Sequence, residues 1–373
     1  MRYIGNKQKL LPFIGAALDG LGLHGGTACD PFAGTAAVSR FLKERGFTVL
    51  CGDLMEYSYV LQRALVEVDA PPRFAGLPEI VAHARAPLDA VLRHLNGLPG
   101  RDGPVTGHFT PSGRARRMYF TAANGARIDA VRETILAWSR GGRITDDERF
   151  VLVAALLEAA DRVANTTGVY AAFVKSWQPN ARRPLRLVPP PLVTGTGRPG
   201  RANRADALDV VANAGELDLL YLDPPYNTRQ YVGYYHVPEL LAENGPFPPL
   251  RGKTGLIPAD GKRSLWCRRG RCEAELETLV GVARCRHILL SYNHEGIIPE
   301  ATIERIFRAH GRPGTYRVLR RPYKRYRSDQ DGQNRTYRGN VVMEGLYYVE
   351  KAAGVVPAAP RAGECALAIS TGG

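Results

Sequence analysis

Asp223, Pro224, Pro225 and Tyr226 put a carboxylate, a backbone carbonyl and a flat aromatic ring within four residues. The run Asp218 to Leu222 before them has the length and composition of a buried strand, and the two prolines end it in a rigid, extended turn. The group is thereby presented at a strand's carboxyl end. Such an arrangement suits a conjugated exocyclic amine on a nucleobase, a poor nucleophile because its lone pair is delocalised into the ring. Two acceptors aimed at its two N–H bonds, the Asp223 carboxylate and the Pro224 carbonyl, pull the nitrogen towards tetrahedral geometry, and Tyr226 stacks on a base flipped out of a duplex. Charge develops on that nitrogen in the transition state, where preorganised acceptors count most. A stiff loop after a strand is the other reading of a Pro-Pro pair.

Two further stretches supply what must stand beside that turn. The segment Arg2-Tyr3-Ile4-Gly5-Asn6-Lys7 runs into an apolar-periodic helix through Leu10, Leu11, Ile14 and Leu18, offering backbone N–H groups and one ammonium to a carboxylate. Thr27 to Cys29 reads as a short strand, followed by the small-residue turn Asp30-Pro31-Phe32-Ala33-Gly34-Thr35 and a helix from Ala36 to about Arg45. A second strand, Phe47 to Cys51, leads to Asp53, about 20 residues after the glycine turn, before a helix over 57–68. This order is the nucleoside-binding logic of an open α/β sheet, in which glycine admits the ligand's backbone and the acid takes ribose hydroxyls. Two similar motifs are rejected. Gly195-Thr196-Gly197-Arg198-Pro199-Gly200 opens no helix and reads as linker, and Gly252-Lys253-Thr254 lacks the first glycine of a phosphate loop because position 247 is Phe247.

The 373 residues carry a formal charge of +14, from 50 basic and 36 acidic side chains, which suits a polyanionic partner and also serves solubility. No apolar run spans a bilayer and the N-terminus does not read as a signal peptide, so a cytoplasmic location is expected. Six scattered cysteines frame neither a disulfide scaffold nor a zinc site, so no metal is expected.

Between 71 and 200 the pattern changes to helices, at about 78–96, 127–139 and 146–163, joined by Gly/Pro-rich loops. Arg114, Arg116 and Arg117 sit beside Met118-Tyr119-Phe120, and Arg162, Asn165, Thr166, Tyr170, Lys175, Trp177, Arg182 and Arg183 interleave basic, amide and aromatic groups. This is the make-up of a phosphate- and base-contacting surface, with Arg116, Arg117, Asn165, Lys175 and Arg182 as candidate DNA contacts. Beyond the opening motif the chain predicts a basic loop over 251–271, a helix over 273–283, a strand over 288–293, a helix over 299–310, and a hairpin-like end made of 316–319 and 341–349. The loop 325–338 between them is rich in arginine and adds Arg327 to the candidate contacts. The last twenty or so residues, rich in Ala, Gly and Pro, predict disorder.

Taken in order, the YIGNK turn, DPFAGT, the acid after the next strand and DPPY resemble the Dam-like class of adenine-specific DNA methyltransferases. The resemblance spans about positions 1–350 and includes GKTG, LLSYN and RYRSDQDGQNRTYRGN. It implies an α/β fold: a Rossmann-like methyltransferase sheet with a mainly helical inserted target-recognition domain. The expected division is 1–72 and 203–352 for the two halves of that sheet domain, 73–202 for the insert and 353–373 for a disordered tail. It further implies transfer of a methyl group from S-adenosylmethionine to the N6 amine of adenine in double-stranded DNA, with a restriction endonuclease as a possible companion. Residue by residue, Tyr3 and Lys7 would be N-terminal cofactor contacts, with Lys7 near the methionine carboxylate. Asp30, Phe32 and Gly34 would form the cofactor turn, Asp53 take the ribose, Asp206 meet the cofactor's adenine, and Asp223, Pro224 and Tyr226 hold the target amine. The turn departs from the family's frequent G-x-G, since Gly34-Thr35-Ala36 ends in alanine. The alternatives are an RNA or N4-cytosine amino-methyltransferase, which the same acceptors fit, and a DNA-binding relative without catalysis.

Overall fold

The structure, a computed structural model, describes residues 1–324 and 341–352. Seven strands form one sheet in the order β3-β2-β1-β4-β5-β7-β6: β1 Gly26–Asp30, β2 Phe47–Asp53, β3 Arg201–Arg204, β4 Leu217–Leu222, β5 Cys285–Asn293, β6 Arg317–Lys324 and β7 Val341–Glu350. Pairing is parallel from β3 through β5, and β7 is antiparallel to both of its neighbours. The sheet reverses its winding between β1 and β4, which opens a crevice beyond their carboxyl ends, the place where open α/β sheets bind ligands.

Both faces of the sheet are covered, so β4 and β5 are largely apolar where they are buried, at Leu219–Leu222 and Ile288–Leu290. Along β4, Leu219 and Tyr221 enter one core cluster while Leu220 and Leu222 enter the other. Helices α1 Leu11–Gly20, α2 Ala37–Glu44 and α3 Glu56–Gln62, the last continued by a π turn Arg63–Glu67, follow the expected order. Strand β3 is not evident in the sequence: Arg-Ala-Asn-Arg is short, charged and pairs with β2 alone at the sheet edge, with both arginines exposed.

The expected helix over 78–96 is two helices, Pro78–Val81 and α4 Pro87–Gly97. Pro87 has no N–H to give to a preceding turn, and its fixed φ suits a helix's first position, so a new helix starts there. Helices α5 Ala122–Arg140 and α6 Asp146–Val163 lie close to prediction; α6 opens with a capping box, Thr145 and Glu148 exchanging bonds. Helix α6 is buried on most of its surface and packs on α3 and on α8 His236–Ala242, which follows α7 Ala207–Ala212 and the Asp223–Tyr226 turn. The segment 73–202 thus shares one continuous apolar core with the sheet. Helices α9 Cys272–Val282 and α10 Glu300–His310 cover the opposite face.

Candidate active site

Three strand ends bring the acids together. Asp30 closes β1, Asp53 closes β2, and Asp223 follows the last residue of β4. They face a cleft lined by Tyr3, Phe32, Asp53, Asp206, Asp223 and Tyr226 among others, and a smaller cavity beside it that reaches Asp30, Gly34 and Lys7. Tyr226 also lines a wider cleft beside the N-terminal turn, bordered by Asn227, Asn293 and Glu344, so the two clefts meet at Tyr226 and at Tyr3, Ile4 and Gly5.

Asp30 is 1 % exposed; Ser39 donates to its Oδ2 at 2.6 Å, and Oδ1 has no hydrogen-bond partner among the described residues. Burial pushes its pKa up to about 7 against the Ser39 bond, which works the other way. Asp53 accepts the Gly34 N–H at 3.1 Å and the Met55 N–H at 3.0 Å, and burial raises its pKa. Gly34 itself has φ +51°, and a Cβ there would lie 2.8 Å from the Tyr3 ring. Only glycine allows that turn to close against the tyrosine. Ala36, the departure from G-x-G, also has positive φ, +57°, so this chain carries a methyl group where the backbone favours glycine. Asp206 caps α7 through the Leu208 N–H at 3.0 Å while lining the cleft.

The N-terminal turn is tied to the segment 73–202 at its start and to the sheet at its end. The Met1 ammonium bonds Glu158, and Arg2 spends its backbone N–H (2.6 Å) and guanidinium on Asp161 and on the carbonyls of Ala164 and Thr166. Tyr3 stacks on Tyr235 with ring centroids 4.8 Å apart, and the Tyr235 hydroxyl accepts the Ile4 N–H at 2.7 Å. These contacts deliver Lys7 into the interior, 3 % exposed. Its ammonium lies 3.1 Å from Asp223 Oδ1, 2.8 Å from Glu344 Oε1 and against the Tyr226 hydroxyl. Burial works against that ammonium, but the two carboxylates outweigh it and raise its pKa. The amine that the resemblance sets beside the methionine carboxylate is, in this structure, paired with Asp223, Glu344 and Tyr226.

Tyr226 donates to Asp223 Oδ1 at 2.6 Å and stands 3.0 Å from Glu344 Oε1; its ring meets Tyr292 edge-on at 5.0 Å. Burial lifts Asp223 to about 6, with Lys7 and the Tyr226 bond opposing the rise and Glu344 adding to it. Glu344 carries no local motif and was not expected. It comes from β7, 337 positions from Lys7, placed by the register that sets it opposite Asn293. Trp266 is the other unexpected residue. It meets Phe32 edge-on at 4.8 Å, lines the cleft, and its buried Nε1 has no partner among the described residues. Gln230 and Ser264 exchange hydrogen bonds of 3.0 and 2.8 Å, which fasten the loop bearing Trp266 to the end of the catalytic segment.

The candidate DNA contacts divide. Arg116, Lys175 and Arg182 are exposed. Arg117 and Asn165 are not, and both assignments are corrected. The Arg117 guanidinium is spent on the carbonyls of His108, Gly252 and Lys253, which pins the GKTG turn against the insert. Asn165, fully buried, donates to Met118 O and Val174 O and accepts the Gln178 N–H, leaving nothing for a base edge. Arg327 and the 325–338 loop lie outside the described residues, as does the segment 353–373. The Gly195–Gly200 stretch does hold an anion, the chain's own Asp69, which accepts from Thr196 and Gly197. Among the described residues no cluster of His, Cys, Asp and Glu has the make-up of a metal site.

Known proteins resemble this chain along most of its length. The family described as D12 class N6 adenine-specific DNA methyltransferase matches residues 3–244. The chain is 35 % identical over 354 residues to the Type II methyltransferase M.NlaIII of Neisseria lactamica, covering 94 % of this chain and 99 % of that protein. It is 33 % identical to the Type II methyltransferase M.FokI of Planomicrobium okeanokoites across 94 % of its own length, and spans 53 % of that longer protein. To the Type II methyltransferase M.CviAII of Paramecium bursaria Chlorella virus 1 it is 29 % identical, covering 93 % and 97 %.

Proposed function

Since this chain belongs to the D12 class of N6 adenine-specific DNA methyltransferases, we propose that Asp223, Pro224 and Tyr226 hold an adenine flipped from duplex DNA while its N6 amine takes the methyl group of S-adenosylmethionine. One observation supports it above the others: Tyr226 borders both the acid-rich cleft and the wider cleft next to it, which suits a donor on one side and a base on the other.

The cofactor cleft fits the donor. Asp30 Oδ1, buried and without a partner, suits the methionine ammonium; the Gly34 turn leaves room for the methionine chain; Asp53 keeps lone pairs for ribose hydroxyls beyond its two backbone bonds. Phe32 and Trp266 supply an aromatic wall and Asp206 a carboxylate at the adenine end. When bound, the sulfonium supplies an electrophilic methyl group. The protein's own residues do the rest. The Asp223 carboxylate and the Pro224 carbonyl accept the two N6–H bonds, turning the nitrogen lone pair out of the ring plane, and Tyr226 packs on the base. The proton released as the C–N bond forms is accepted on the Asp223 side of the amine.

We further read the exposed Arg116, Lys175 and Arg182 of 73–202 as DNA contacts, that segment as the target reader, the cytoplasm as the place of action and a cognate endonuclease as a companion. The relatives' printed names, Type II methyltransferase and modification methylase, support the last of these. No helix of the described residues is long and apolar enough to cross a membrane.

The test is Asp223→Asn in single-turnover methylation of genomic DNA. It should lose about a hundredfold or more in rate, while calorimetry finds S-adenosylmethionine still bound. Modification-sensitive sequencing of a host expressing the wild type should find N6-methyladenine in one short motif. Near-normal turnover by the variant, or a methylated cytosine, overturns the assignment.

A further inference from the structure

We propose that Glu344 is a positioning residue of the methyl-transfer centre: it draws the Lys7 ammonium off Asp223 and so keeps the Asp223 carboxylate an effective acceptor for the target amine. The inference rests on the reading of Asp223 given above. Three polar groups lie within hydrogen-bond distance of one oxygen of Glu344: Lys7 at 2.8 Å, Ser291 at 3.0 Å and the Tyr226 hydroxyl at 3.0 Å. Lys7 is nearer Glu344 than Asp223, 2.8 against 3.1 Å. An ammonium alone on Asp223 would neutralise it and compete with the adenine amine for its lone pairs. A second carboxylate shares the cation and leaves the group with one net negative charge, facing a nitrogen that turns positive in the transition state.

The fold does not require that charge. Strand β7 pairs with β5 through its backbone at this position, and Glu344 is 3 % exposed. Burying two carboxylates on one ammonium is costly, and an apolar side chain of like volume is often as stable or more so. The carboxylate is therefore explained by what it does to its neighbours. Ser291, from β5, fixes its oxygen; Tyr226, with one hydroxyl proton between two carboxylates, gives it to Asp223 over the shorter distance.

The test uses Glu344→Gln in the full-length enzyme, read by single-turnover methylation across pH. Asp223 is faced by Lys7 from the N-terminal turn, Tyr226 from its own turn and Glu344 from β7, with Asp30, Tyr221, Tyr231 and Tyr292 around them. Removing the Glu344 charge and letting Lys7 settle on Asp223 both favour the ionised Asp223. The acid limb should therefore move to lower pH, while the plateau rate falls about tenfold or more because Lys7 then neutralises Asp223 and occupies its lone pairs. Calorimetric affinity for S-adenosylmethionine should hold, because Glu344 does not line the cofactor cleft. In a Lys7→Met background the same change should add little, since the two act as a unit. A plateau near wild type, a slowed rate with an unmoved acid limb, or full additivity with Lys7→Met overturns the proposal. Should Glu344→Gln not fold, Glu344→Asp, which keeps the charge but withdraws it from Lys7 by one methylene, is judged on the same plateau and limb. Failure of the wild type itself to methylate adenine would count against the reading of Asp223 instead.

Discussion

Asn165 holds three backbone groups, Met118 O, Val174 O and the Gln178 N–H, in a fully buried site. Asn165→Ala leaves all three without a partner, so it should lower stability by about 2–4 kcal/mol in urea unfolding and leave the methylated motif unchanged; a stable variant with relaxed specificity would restore Asn165 as a base contact. A pattern of amides, cations and aromatics tells that donors are present and not which way they face, which is why Asn165 and Arg117 read from sequence like a DNA surface. Asp30, Asp53 and Asp223 were legible because each sits at a strand end, inside its own local signal. Glu344 was not, because nothing near it in sequence distinguishes it from any acid on a strand; its role comes from a register 337 positions away from its partner. For Asp223 itself, a pKa lifted to about 6 by burial means that the acceptor is lost as pH falls through that value. Methylation should decline below about pH 6, well above the ordinary aspartate range, and a rate constant down to pH 4 would show Asp223 to be ionised throughout.

At the level of elements, the glycine turn between β1 and α2 is set by the N-terminal turn as much as by its own sequence. With φ +51° and a Cβ position 2.8 Å from the Tyr3 ring, Gly34→Ala adds a left-handed alanine, about 1–2 kcal/mol, and pushes on Tyr3. It should weaken S-adenosylmethionine binding about tenfold or more by calorimetry, and Tyr3→Ala should remove part of that penalty by making space. Equal losses in both backgrounds would mean that the strain is local to the turn. The order of strands and helices in the sheet domain followed from periodicity and turn residues, while the edge strand β3 and the break before Pro87 depended on neighbours and on proline's missing N–H.

For the whole molecule, what matters is that the segment 73–202 shares its apolar core with the sheet that carries Asp223. Helix α6 packs on α3 and α8 and holds Met1 and Arg2 through Glu158 and Asp161, so the insert positions the very turn that delivers Lys7 to Asp223. Its interhelical core cannot be exchanged without disturbing catalysis, whereas its exposed loops can. Replacing 110–116 and 171–183 by the matching loops of a relative with another target, and keeping α5 and α6, should give a chimaera with near-normal melting that methylates the relative's motif. Exchanging all of 73–202 should instead cost stability and rate before any change of motif is read, because foreign residues would face Glu56–Gln62 and His236–Ala242. Within the loops, neutralising Arg116, Lys175 or Arg182 should weaken DNA binding on all sequences alike and lower the salt slope by about one for each phosphate contact, while a base contact should relax choice at one position of the motif. A loop chimaera that melts like the wild type and still methylates the original motif would move the reader out of these loops, and the arginine-rich 325–338 sequence would become the next segment to exchange.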